Sequence, residues 1–394
     1  MDAVTGKVLY ERNADLKRPP ASTTKIMTAI LLIENTQEND EIVASKKASE
    51  ADGSSLHLLP GEKVTSRNLL FALMLRSAND GCIAAAEKIA ASEEAFAKLM
   101  TKKAHDIGAL DTIYRNCNGL NDPPNVTTAR DLATMTRYAI RYPRFNEAAG
   151  SKFFLVDRSI DKEDRHLRNH AKFLWKFPGA DGIKTGYTVP AGHCFVGSVT
   201  KNGWRLISVV LNSPDWMAET SELMQYGFNR YERHEAASAG KVLARASVTS
   251  GVKNQVGAVT SSPVYYVAPR GDHSVATLIT VMRNMRAPIR AGDVVGAVEV
   301  WQDGERTASY PLVADRAVKP SLMANLNRSG WIRYLLLILF GSVVFIYGRK
   351  ITKNSRISRR RFAALMREAD RAGQGYRQWS EGDRSGDKGE PAER

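Results

Sequence analysis

Pro19-Pro20-Ala21-Ser22-Thr23-Thr24-Lys25 runs straight into an apolar stretch that includes Thr28-Ala29-Ile30-Leu31-Leu32-Ile33. The two prolines exclude helix immediately upstream and the apolar run is of helix length, so a helix begins near Ser22. A helix start places a hydroxyl and its own backbone N–H at the positive end of the dipole, where developing negative charge is stabilised. Lys25 lies three residues on, over the same face. A serine hydroxyl attacks poorly until a base takes its proton, and a lysine is that base only when burial or a neighbouring cation lowers its pKa. Taken alone, Ser22 reads equally well as an N-cap and Lys25 as a solvated charge.

A second polar string, Ser77-Ala78-Asn79, separates the apolar run ending Leu73-Met74-Leu75 from another beginning Cys82-Ile83-Ala84. It is a corner between helices. Such a corner can hold Ser77 as a proton shuttle and offer the Asn79 amide to a carbonyl, or it can be simple interhelix capping. A third string, Lys184-Thr185-Gly186, opens a β-rich region in which Phe195–Val199 and Leu206–Leu211 flank Lys201-Asn202-Gly203, a hairpin signal. The string then occupies the first strand of a hairpin, along which an extended peptide can dock. Gly186 lacks a Cβ and admits a second backbone, while Lys184 and Thr185 offer a cation and a hydroxyl to a carboxylate. Lys184 is also a cation available to depress Lys25.

Each string is weak alone. In this order and spacing they resemble the Ser-x-x-Lys, Ser-x-Asn and Lys-Thr-Gly set of penicillin-binding proteins and β-lactamases. The flanks Asp2–Tyr10, Gly119-Leu120, Thr127–Leu132, Asn169-His170 and Pro178–Gly182 narrow the resemblance to the low-molecular-mass penicillin-binding proteins of the peptidase S11 family, serine D-alanyl-D-alanine carboxypeptidases, over roughly residues 1 to 315. The resemblance implies an α/β (α+β) transpeptidase-like fold. It implies Ser22 as nucleophile, Lys25 as general base and Ser77 with Asn79 as proton relay and substrate binder. Lys184, Thr185 and Gly186 become substrate contacts, and the backbone N–H groups of Ser22 and Tyr187 an oxyanion hole. A peptidoglycan stem peptide is the implied substrate, β-lactams the implied inhibitors, and no cofactor or metal is called for. Rival readings among enzymes are a DD-endopeptidase and a β-lactamase of the same fold; from another class, a catalytically weak, membrane-tethered wall-binding scaffold.

Two positions depart from the family pattern. The segment Pro214–Glu219 carries no arginine where many relatives use one on the terminal carboxylate, and Asn118 stands where relatives commonly have histidine. The Glu-bearing deacylation loop of class A β-lactamases is also missing, which implies slow β-lactam turnover. Cys82, Cys117 and Cys194 have no metal-ligand spacing and read as core or loop residues. His170 and His193 flank the third string and leave a Ser-His-Asp arrangement conceivable, although Lys25 already supplies a base.

The 394 residues suggest two or three structural units. A catalytic domain is expected over 1–235 and a small all-β domain over 240–318, where Val298–Gln302 and Glu305–Tyr310 flank an Asp303-Gly304 turn. A transmembrane helix is expected over 331–348, because Tyr334 to Gly348 carries no charge and its apolar residues occupy all faces. A basic, disordered cytoplasmic tail is expected over 349–394. Its cluster, Arg349 to Arg361, puts the tail inside and the catalytic part outside. The net charge of +14 is then a matter of membrane lipid rather than nucleic acid. Export requires a leader, and because the resemblance begins at Asp2, the true N-terminus is expected to be missing from this chain.

Overall fold

The computed structural model describes residues 1–160, 165–272, 275–302, 304–324, 330–353 and 366–368. Its contacts divide it into two units: Met1–Ala246 with Gly257–Met282 and Gly292–Asp315, and Ser247–Val256 with Arg283–Ala291 and Arg316–Arg394.

The first unit opens with a 3-10 turn, Ala21–Thr24, followed by α1 (Lys25–Asn35), β1 (Glu41–Val43), α2 (Lys46–Ser49), β2 (Lys63–Thr65) and α3 (Ser66–Phe71). A π-turn, Ala72–Arg76, leads to α4 (Asn79–Ala90), α5 (Glu93–Asp106), α6 (Ala129–Ala139) and α7 (Pro143–Gly150). Then come β3 (Phe153–Leu155), β4 (His166–Arg168), α8 (Lys172–Lys176), β5 (Ala180–Thr188), β6 (Gly192–Lys201), β7 (Trp204–Val210) and α9 (Trp216–Arg230).

Helix α1 is the axis of the helical half. Every residue from Lys25 to Ile33 is buried, as suits a helix apolar on all sides rather than along one stripe. It packs against α3, α4, α5, α6 and α7. Side chains such as Ile26, Ile30 and Leu32, all wholly buried, each contribute about 1.5–3 kcal/mol of burial free energy. The surrounding helices are started by side-chain caps: Thr65 accepts from Asn68 N–H, Ser92 from Ala95 N–H and Thr128 from Asp131 N–H. Pro143 occupies the first turn of α7, where no donor is lost.

Strands β5, β6 and β7 form an antiparallel sheet in that order. The expected hairpin is present: Lys201 pairs with Trp204, and Asn202 and Gly203 take φ of +50° and +74°, the left-handed pair that a two-residue turn of this twist requires. Helices α6 and α9 pack on β7, and α7 on β5. Phe195, Phe173, Trp204, Leu206, Met224 and Phe228 fill the layer towards α9.

Beyond α9 the chain is β-structure: β8 (Tyr231–Ala237), β9 (Val242–Thr249), β10 (Gln255–Thr260), β11 (Val264–Pro269), β12 (Val275–Val281), β13 (Met285–Arg286), β14 (Val294–Gln302) and β15 (Glu305–Ala314). Within the first unit β12, β14, β15 and β10 are successive neighbours, and β11 pairs with β8. Gln302 pairs with Glu305, so the expected hairpin forms, although Asp303 lies outside the described residues. In the second unit β13 runs parallel to the end of β9, and Ile289 and Gly251 bridge Val318 and Pro320.

The expected membrane span falls in a helix over Gly330–Lys353. Among the described residues no helix is long and apolar enough to cross a membrane. Most of the expected 349–394 tail lies outside the described residues.

Candidate active site

The α-helix begins at Lys25, three residues later than a helix opening at Ser22. The turn before it is tight. Ala21 takes φ +47°, and Thr23 Oγ1 donates to Pro20 O at 2.6 Å. Two glycines press on this turn. A Cβ on Gly119, whose φ is +90°, would stand 1.9 Å from Ala21 O, and one on Gly186 would stand 2.9 Å from Ser22 N. The first and third strings are thereby held in backbone contact at the candidate nucleophile.

Lys25 is wholly buried. Its Nζ lies 3.1 Å from Ser22 Oγ and donates to Asn79 Oδ1 and to the backbone carbonyl of Asn118, both at 2.7 Å. Burial pushes its pKa down, against the opposing pull of Cys82, Cys117 and Asp80. Of the two causes open from the sequence, burial or a neighbouring cation, burial is the larger; repulsion between Lys25 and Lys184 acts in the same direction. Lys184 is itself buried in β5, and burial together with nearby Lys25 lowers it to about 7. Its Nζ donates to Thr185 O at 3.0 Å.

Ser77 closes the π-turn in left-handed backbone, φ +63°. Its Oγ is buried and has no hydrogen-bond partner among the described residues, so it is not joined to Lys25 in the resting site. Asn79 is engaged more fully than its sequence position suggests. Besides accepting from Lys25, its amide donates to Asp52 O at 2.6 Å, which leaves one of its two N–H groups for a ligand. Tyr187 is 58% exposed, with its ring 4.6 Å from that of His193. Neither His170 nor His193 bonds to Ser22 among the described residues. Burial, with Lys184, Arg76 and Arg168, pushes His170 below its ordinary value. The cysteines are free and buried, and no metal-binding cluster occurs among the described residues.

Several supporting residues carry no sequence motif. Asp80, wholly buried, accepts from the N–H groups of Leu56, Leu58 and Gly81. The loop it grips is also held by Arg158, which bonds both carboxylate oxygens of Glu62 at 2.8 Å and the carbonyls of Leu56 and His57. Asn116 Oδ1 accepts from Gly119 N–H and sets the glycine against Ala21. Asn118 meets Lys25 through its carbonyl and turns its side chain back to Leu120 N–H. The contact with Lys25 is thus made by main chain.

A half-buried serine within hydrogen-bond reach of a wholly buried lysine, beside an antiparallel strand, is the arrangement of a serine acyl-transfer enzyme. Comparison with known proteins narrows the class. Residues 1–215 match the D-alanyl-D-alanine carboxypeptidase family (peptidase S11), and residues 231–320 match the C-terminal domain of penicillin-binding protein 5. The chain is 32% identical over 325 residues to the D-alanyl-D-alanine carboxypeptidase DacF of Bacillus subtilis, covering 80% of this chain and 83% of the relative. It is 30% identical over 330 residues to DacA of Escherichia coli, covering 79% and 81%. Penicillin-binding protein 5 of Haemophilus influenzae superposes with a TM-score of 0.66 at 29% identity, over 81% of this chain and 96% of that one. The chain belongs to the peptidase S11 family of serine D-alanyl-D-alanine carboxypeptidases, with the α/β fold of penicillin-binding proteins followed by an all-β domain.

Proposed function

We propose that this chain removes the terminal D-alanine from peptidoglycan stem peptides through an acyl-enzyme on Ser22. The observation that carries the reading is the valence of Lys25. A neutral amine has two N–H bonds and one lone pair. Asn79 Oδ1 and Asn118 O, which can only accept, take the two N–H bonds at 2.7 Å. A charged Lys25 donates its third N–H to Ser22 Oγ at 3.1 Å; once neutral, with the other two N–H bonds held by these acceptors, it turns its lone pair to the same oxygen.

The steps follow. Lys25 takes the Ser22 proton as Oγ attacks the carbonyl between the two D-alanines, and the oxyanion forms against the backbone N–H groups of Ser22 and Tyr187. Ser77, whose hydroxyl has no resting partner, relays the proton to the departing amine. Water then releases the shortened peptide. Asn79, Thr185 and Lys184 bind the substrate, with Gly186 admitting its backbone along β5. Lys184 takes the role of carboxylate cation, which a segment 214–219 without arginine does not fill. A β-lactam acylates Ser22 in the same way but keeps its amine tethered, which blocks the water.

We further propose a catalytic domain over 1–235, a β-rich domain over 240–318 and membrane attachment through the helix 330–353. Its apolar side chains are exposed from Tyr334 to Ile346, and a basic cluster follows it in sequence. The test is D-alanine release from a diacetyl-Lys-D-Ala-D-Ala peptide by the full chain and by Ser22→Ala, with penicillin labelling alongside. The variant is expected to lose at least ~10³-fold in turnover together with its label. Labelling without release from the unsubstituted chain would favour the scaffold reading.

A further inference from the structure

The second unit differs sharply in charge from the first. Its segments 247–256, 283–291 and 316–324 hold Lys253, Arg283, Arg286, Arg290, Arg316 and Lys319 and no aspartate or glutamate. All six are exposed. They stand on a built frame rather than a loose loop. Val248, Val256, Ala287, Ile289 and Val318 are buried in it, and strand alternation turns their neighbours Arg286, Arg290 and Lys319 outward.

The same frame exposes apolar side chains that contribute nothing to its core. Val252 is 64% exposed, Leu322 77% and Met323 73%. Val252 N–H donates to Lys319 O, and Ser321 N–H to Ser250 O. This pairing brings Val252 and Lys253 beside Lys319 and the Leu322-Met323 pair. Cations around exposed apolar side chains suit a surface that meets lipid, with headgroups answering the charge and the apolar groups entering the acyl boundary. A soluble polyanion answers the charge and leaves Val252, Leu322 and Met323 unexplained.

Chain length supplies the second argument. Five residues separate Ala324 from Gly330, where the C-terminal helix begins, and that tether extends at most roughly 20 Å. Resting on membrane attachment through this helix, we propose that the basic and apolar face around Lys253, Arg286, Lys319 and Leu322-Met323 docks on anionic phospholipid headgroups of the same bilayer.

The test uses the full chain in nanodiscs of phosphatidylcholine alone or with phosphatidylglycerol, footprinted with an amine-reactive reagent. Labelling of Lys253 and Lys319 is expected to fall several-fold in the anionic discs, with the control Lys88 unchanged, and Arg283→Glu with Arg286→Glu to restore it. Equal labelling in both discs, with the chain retained in each, overturns the docking surface alone. Failure of the chain to enter either disc overturns the anchor and the surface with it. Protection by soluble polyphosphate in phosphatidylcholine discs, without protection by phosphatidylglycerol, overturns the lipid assignment.

Discussion

Lys25 and Lys253 are the same side chain in opposite settings. Lys25 has no exposed surface, touches three oxygens and has its pKa pushed down by burial. Lys253 stands in solvent on a unit whose described segments up to residue 324 carry cations and no acids. In the proposed mechanism burial makes Lys25 a base for catalysis, whereas exposure leaves Lys253 as the adhesive charge of the proposed docking face. Nothing in the two residues themselves distinguishes them; the surrounding fold does.

Lys25→Met is the most severe way to break that contrast. Loss of the base is expected to cost roughly 10²–10⁴-fold in the rate of D-alanine release, while Lys253→Met leaves solution turnover unchanged. A steady-state assay of both variants reads the difference.

Arginines repeat the pattern in stability. Arg158 and Glu62 pair with no exposed side-chain surface, and Arg158→Met strands a buried carboxylate at a cost of about 3–5 kcal/mol. Arg286→Met, on the exposed unit, is expected to change stability by no more than ~0.5 kcal/mol. Denaturant midpoints measure both.

Gly119→Ala is a subtler break, since it adds a Cβ 1.9 Å from Ala21 O in left-handed backbone. Backbone strain of about 1–3 kcal/mol follows, accompanied by lost activity, because the turn that carries Ser22 must move. Thermal unfolding and D-alanine release, measured together, separate strain from simple unfolding.

The legible parts of the site were those encoded within a few residues. Ser22 with Lys25, the corner at Ser77-Ala78-Asn79 and the hairpin at Asn202-Gly203 each follow from local spacing. The grip of Asp80 on residues 56–58, the carbonyl of Asn118 on Lys25 and the Gly119 cradle were not legible. They join backbone atoms far apart in sequence, and every residue type carries the same backbone. Which of the two candidate causes lowers Lys25, burial or a neighbouring cation, was hidden for a related reason: burial is a property of packing, which the string does not carry.

The lysine pair also sets a pH dependence. Lys184 is lowered to about 7 from an ordinary 10.5. Between those values the unfolded chain holds a proton that the folded one lacks, so stability falls as pH drops through this window and levels off below about 7. Charged Lys184 favours a carboxylate, so carboxypeptidase kcat/KM is expected to fall on the alkaline side of that value.

Acylation by a β-lactam against pH, in the wild type and in Lys184→Met, tests the central claim that burial, more than the neighbouring Lys184, makes Lys25 the base. The account predicts that in both proteins the acylation rate rises with pH and reaches its plateau well below 10.5. A rate that climbs until pH 10.5 in the wild type, or a limb that shifts to 10.5 when Lys184 is removed, would contradict it.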